Sequence, residues 1–268
     1  MNASINFTRL VLVLRKYWFE NKRQFMLMLL AEAAFLTLWM GVNISTTNPR
    51  MLMEVNQVCY FFTGLFLFGC LSAGIHFSDL GVKPTAIHFL LTPSSGKEKF
   101  ICSLFFGVVL FFIGYVIVFY AVDAISVLIA NQKFKTHWAI ANLFLMDRYE
   151  YRLFEMPFSM LVYLYFIAQA FFLLASIYFN KNGLFKAIVG AGIIWVTLIF
   201  LMMTLFVSFP PGIILKTISE YEIVERSGIS RVVVISPIIT TLILLFYKFL
   251  ITPLLWLSAY LRLNEKHL

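Results

Sequence analysis

Apolar runs of roughly 20 residues alternate with short polar stretches along the whole chain. Six runs qualify: 25–44, 57–77, 100–122, 158–179, 187–209 and 234–256. Each is long enough, at about 1.5 Å per helical residue, to cross a hydrocarbon core of about 30 Å. None shows the two-residue alternation of a barrel strand. Backbone groups in lipid must bond within their own segment, so each run is predicted to be a helix. The expected fold is an all-α integral membrane protein with six transmembrane helices, forming one domain over 1–268.

The residues before the first run have their own pattern. Over 5–19, Phe7, Leu10, Val11, Leu14, Tyr17 and Trp18 fall at helical spacing, with Arg9, Arg15 and Lys16 between them. This predicts an amphipathic helix lying in the membrane interface. The alternative is a plain extension of the first span; the polar run 20–24 favours a break between the two. No small-residue cleavage site follows the first run, so no cleavable signal is expected. A segment at 210–231 opens with Pro210, Pro211 and Gly212 and continues through Ile213–Leu215 into acidic residues. It is read either as a segment dipping back into the interface or as a structured loop.

Charge sets the orientation. The N-terminal tail, the second-to-third and fourth-to-fifth connections and the C-terminal tail carry twelve basic residues against four acidic ones. The other connections carry eight against seven. By the positive-inside rule both termini are cytoplasmic. The chain is 61% hydrophobic and 13% charged, with a formal net charge of +8. Soluble domains are about 25% charged, so the bilayer must act as solvent here. The basic residues flank apolar spans, which points to anionic lipid headgroups and away from nucleic acid.

The most informative polar stretch is 78–100, SDLGVKPTAIHFLLTPSSGKEKF. Gly81 ends a helix and Pro84 suits a first helical position. Ile87, Leu90 and Leu91 then make one apolar face, and Pro93 stops the run. Ser95 and Glu98 have the spacing of a capping box that would start the third span. The expectation is a short cytoplasmic helix parallel to the membrane, joined rigidly to two spans.

Chemistry is sparse. Gly96-Lys97 lacks the earlier glycine and the following hydroxyl residue of a phosphate loop. His76, His88, His137 and His267 form no metal-binding pattern, and Cys59, Cys70 and Cys102 read as small buried hydrophobes. Glu220, Glu222, Glu225 and Arg226 read as a solvated outer face. No catalytic residue, bound cofactor or metal is expected. The ionisable residues inside spans matter more, because each is costly there. Glu32 in the first span and Lys248 in the last lie at similar depth, on the order of 10 Å from the cytoplasmic side. They are expected to pair within or between subunits, or else each to reach its own headgroup region. Asp123, near the outer end of the third span, is expected to be wet. Gln169 is read as a helix–helix tie or as lining a path.

The run 87–100, IHFLLTPSSGKEKF, resembles a pattern of bacterial ATP-binding cassette transporter permeases of the type-2 exporter class: an aliphatic run, a Leu-Pro-Ala-Ser-like turn, then Glu-Lys and an aromatic residue. Thr92-Pro93-Ser94 stands where Leu-Pro-Ala is commoner. The run 256–266, WLSAYLRLNEK, is similar to that family's basic closing tail. The resemblance implies that two such subunits, identical or related, pair in the inner membrane. Two separate ATPase subunits, which hold the ATP and Mg, would dock beneath. It implies that 78–92 is the coupling helix, with Asp79, Lys83, Thr85, Ile87, His88, Leu90 and Leu91 meeting the ATPase. Arg9, Arg15, Lys16 and Trp18 would line the docking groove. The implied function is ATP-driven export by a non-catalytic permease subunit. The competing reading is a stand-alone secondary transporter or channel, which would call for more polar residues near the midplane.

Overall fold

The computed structural model describes residues 7–45, 54–75, 95–140, 142, 158–179, 183–208, 213–215, 220–224, 230–234 and 236–265. Helices dominate: α1 Phe7–Ser45, α2 Glu54–Ile75, α3 Gly96–Phe134, α4 Phe158–Tyr178, α5 Gly183–Ser208 and α6 Pro237–Glu265. Among the described residues, five of them (all but α5) are long and apolar enough to cross a membrane. The expectation of six crossings is thus met for five. α5 is an apolar helix of 26 residues outside that set.

Two expectations about the connecting segments change. The predicted interfacial helix at 5–19 is not separate: α1 runs unbroken for 39 residues. The polar run 20–24 contains no proline or glycine, and Asn21 Nδ2 donates to the Tyr17 carbonyl without interrupting the helix. Polarity alone does not end a helix; loss of backbone bonding does. At roughly 58 Å, α1 is about twice the thickness of the hydrocarbon core. The second concerns the segment 210–231, which takes the structured form of its two readings: strands β1 Ile213–Leu215, β2 Glu220–Val224 and β3 Ser230–Val234 form an antiparallel meander in an otherwise helical fold. Ile214 pairs with Glu222, which pairs with Val232.

Three helices turn inward stripes of three- to four-residue spacing toward the bundle. α1 buries Glu32, Leu36, Met40 and Ile44; α3 buries Phe111, Tyr115 and Phe119, then Asp123, Val127 and Ala130. α4 buries Leu161, Tyr165, Gln169 and Leu173. These stripes close on α2, the most enclosed of the five spans, with 61% of its apolar stretch buried against 6% for α6. Lipid tails are as apolar as leucine, so burial alone does not bring membrane helices together; close packing does.

α2 permits that packing at two glycines. A Cβ on Gly64 would lie 2.6 Å from Tyr115 Oη and 3.2 Å from Leu36 Cδ2. A Cβ on Gly69 would lie 2.6 Å from Tyr165 Oη. Tyr115 is further held by donating its hydroxyl to the Phe61 carbonyl at 2.6 Å. Around these seats an aromatic cluster interlocks edge to face, including Phe61–Tyr115 at 5.3 Å and Phe66–Tyr165 at 5.9 Å between ring centroids. Such pairs add about 0.5–1.5 kcal/mol each beyond area burial.

Gly69→Ala forces the Tyr165 ring off α2 and is expected to cost about 1–3 kcal/mol. Gly41→Ala meets nothing within 4 Å of the new methyl group and should gain up to about 1 kcal/mol of helix propensity. Thermal melting of the detergent-solubilised protein distinguishes the two. Equal melting of both variants would refute the tyrosine-on-glycine account.

Candidate functional site

Most candidate residues within the described part of the chain gather at the end of the bundle that holds the N-terminal half of α1, the start of α3 and the last turns of α6. The start of α3 is fixed by a reciprocal cap. Ser95 Oγ accepts from the Glu98 amide at 3.2 Å, and Glu98 Oε2 accepts from the Ser95 amide at 2.9 Å. Two of the four free N–H groups at this end are thereby satisfied in a buried setting. Glu98, Lys99 and Phe100 are all buried there. Phe100 packs with Ala73, Leu173, Ile177, Ala259 and Leu263, tying α2, α3, α4 and α6 together. Its ring lies 5.7 Å from that of Tyr260.

α1 joins the same end through aromatic stacking. Tyr17 and Trp18 lie 4.7 and 6.2 Å from Phe106 of α3. Of the candidate docking residues, Trp18 therefore faces the bundle, whereas Arg9, Arg15 and Lys16 are exposed. Lys16 pairs with Glu20 at 3.7 Å, and Arg15 and Lys22 both lie over the Phe19 ring. Lys186 lies over Phe179 and Arg262 over Tyr178. Charged heads over aromatic faces give this end a rim that is basic outside and aromatic beneath. A cavity of about 240 Å³ opens between α1, α2 and α3, lined in part by Trp18, Asn21, Gln24, Met28 and Ser72.

The coupling residues Asp79, Lys83, Thr85, Ile87, His88, Leu90 and Leu91 lie outside the described residues. What is described is where their segment is anchored: at Ile75, the last residue of α2, and at the capped start of α3.

The intramembrane candidates are rearranged. Glu32 and Lys248 do not pair within the chain. Glu32 is wholly buried, and neither of its oxygens has a hydrogen-bond partner among the described residues. Lys248 sits in a π-helical turn, Phe246–Leu250, with Nζ 5.4 Å from the centre of the Tyr163 ring. Helical phase explains the separation: Glu32 lies on the inward stripe of α1, while α6 is the least buried span. Asp123 is not wet. It is 0% exposed because it continues the stripe of Tyr115 and Phe119, and its oxygens too have no partner among the described residues. Gln169 is the helix–helix tie: Nε2 donates to the Gly107 carbonyl at 2.9 Å, inside the π-helical turn Phe105–Leu110. A π turn misaligns backbone bonding and leaves a carbonyl to be satisfied from outside.

Tyr115, Tyr165, Gly64 and Gly69 were not singled out from the sequence. The available signal was a glycine in mid-span on one helix and a tyrosine on the four-residue stripe of another. The three cysteines are free, and no group of three or more metal-ligating side chains occurs among the described residues.

Comparison with protein-family models, curated proteins and solved structures gives no match.

Removing the cap isolates its role. Ser95→Ala should cost about 1 kcal/mol of stability, while Ser95→Asp, which keeps an acceptor, should cost little. Melting temperature and amide exchange at Lys97 and Glu98 report on this directly. An unchanged exchange rate in Ser95→Ala would show that the cap does not hold the start of α3.

Proposed function

We propose that the chain is the membrane-embedded permease subunit of an ATP-binding cassette exporter in a bacterial inner membrane. In this reading it crosses six times, with both termini and the 78–92 segment in the cytoplasm. It works as a homodimer or with a related subunit, and ATP is hydrolysed on separate ATPase chains. The observation that carries the reading is the Ser95–Glu98 cap. It lies within the run that resembles the exporter permeases, and it joins the polar 78–94 segment to a buried start of α3. A helix whose first turn is capped and packed on three others moves as a unit. Displacement of the polar segment is then passed to α2 and α3 rather than lost in a frayed helix end. The exposed Arg9, Arg15 and Lys16 on the protruding half of α1 suit contact with an acidic soluble partner or with anionic headgroups.

One observation favours a second reading, a stand-alone secondary transporter. Glu32, the Tyr165 hydroxyl and the Gln169 carbonyl oxygen are buried without partners among the described residues. Such groups occur at coupling-ion sites. Transport by liposomes that hold only this chain, with no ATPase, would support that reading against the first.

Purification from native membranes should bring down an ATPase with a phosphate loop. Ile87→Asp and Leu90→Asp should release it while leaving the permease monodisperse. A single cysteine at Thr85, with Cys59, Cys70 and Cys102 replaced, should be labelled only from the cytoplasmic side. An ATPase that stays bound in both aspartate variants, or labelling of position 85 from outside, overturns the proposal.

A further inference from the structure

The inward stripe of α1 begins with a carboxyl group where its other members are Leu36, Met40 and Ile44. Glu32 cannot leave the interior without turning those three outward. The phenols of Tyr115 on α3 and Tyr165 on α4 belong to the same buried cluster as Leu36, one turn from Glu32, and their hydroxyls sit over Gly64 and Gly69 of α2. The Tyr115 hydroxyl already donates a hydrogen bond to the Phe61 carbonyl. The Tyr165 hydroxyl has no partner among the described residues, and neither does Oε1 of Gln169, one turn further along α4. No lysine, arginine or histidine pairs with Glu32 among the described residues.

A bare carboxylate in an apolar interior is strongly unfavourable, so this site calls for one positive charge. The groups present specify its kind. There is one carboxylate, and the other available atoms are neutral oxygens. That set balances a single charge; it falls short of the several anionic ligands that a divalent ion favours. All the donor atoms are hard oxygens. We propose that Glu32, with Tyr165 and Gln169, forms an internal site for one small monovalent cation, supplied either as a proton or as an alkali-metal ion. The cavity between α1, α2 and α3 gives the ion an approach. It reaches Met28, one turn from Glu32 on the same face of α1, and Asn21, Gln24 and Ser72 line it with polar atoms. The site does not depend on an ATPase docking at the end of the bundle.

The test is carbodiimide labelling of the full chain in lipid nanodiscs, read by peptide mass. Dicyclohexylcarbodiimide enters apolar interiors and attacks an accessible carboxyl group. Glu32 should be modified. If the ion is a proton, labelling should slow roughly tenfold for each unit of rising pH beyond the point of proton release. If it is an alkali-metal ion, labelling should slow on adding sodium or potassium at constant pH. Glu32→Gln should keep the melting temperature and lose the label. A Glu32 that is labelled only after denaturation is held by a fixed countercharge, and that overturns the proposal. So does labelling at a rate indifferent to both pH and alkali ions.

Discussion

Two tyrosines resting on two glycines of one helix hold this bundle at its observed spacing. In water, expulsion of solvent would press the helices together. In lipid that force is absent, and what remains is contact between well-fitted surfaces. Gly64 and Gly69 let Tyr115 and Tyr165 reach the backbone of α2 from two different helices. The main buried cluster of the bundle is built around those seats. Leu36 touches the first of them, and the phenylalanine cluster fills the space between.

The same packing creates the polar interior. Tyrosine brings a hydroxyl wherever its ring is buried, and in a lipid-embedded bundle that hydroxyl has few partners. Tyr115 resolves this through the Phe61 carbonyl, whereas the Tyr165 hydroxyl has no partner among the described residues. Glu32 and Asp123 lie on inward stripes whose other members are hydrophobic, so their burial follows from the phase of the helix. Side chains kept inside at such cost are seldom neutral to function, because a leucine at either position would pack more easily.

How much of this was legible depended on whether the information was local. Hydropathy located every long helix among the described residues, since a run of some 20 apolar residues has few other ways to exist. The Ser95–Glu98 spacing revealed a helix start, because a capping box is a contact over three residues. The ends of α1 and α3 were misjudged for the opposite reason. Glu20–Gln24 looked like a boundary by polarity, yet each residue there is an adequate helix former. Asp123 was expected to be wet from its depth, when its phase relative to Tyr115 and Phe119 decided the matter. A Glu32–Lys248 pair within the chain assumed that equal depth means proximity, but two helices at one depth can present those faces in different directions. The tyrosine seats join residues on separate helices, and no spacing within one helix announces them.

Continuity of α1 links the two ends of the argument. An interfacial helix hinged at 20–24 would have decoupled Arg15, Lys16 and Trp18 from the membrane interior. A single rod does not: a rotation imposed on its protruding half turns Glu32 by the same angle, less whatever the helix absorbs by twisting. Trp18, stacked on Phe106, and the buried Glu32 therefore sit on one lever. α3 answers with a different device. Its π turn, tied through Gly107 to Gln169, lies between the capped start and the Tyr115 seat. It is a place where the helix can shift by one residue without losing its backbone bonds altogether. An unbroken helix thus lies beside one whose backbone bonding changes at a defined point, between the cap and the Tyr115 seat.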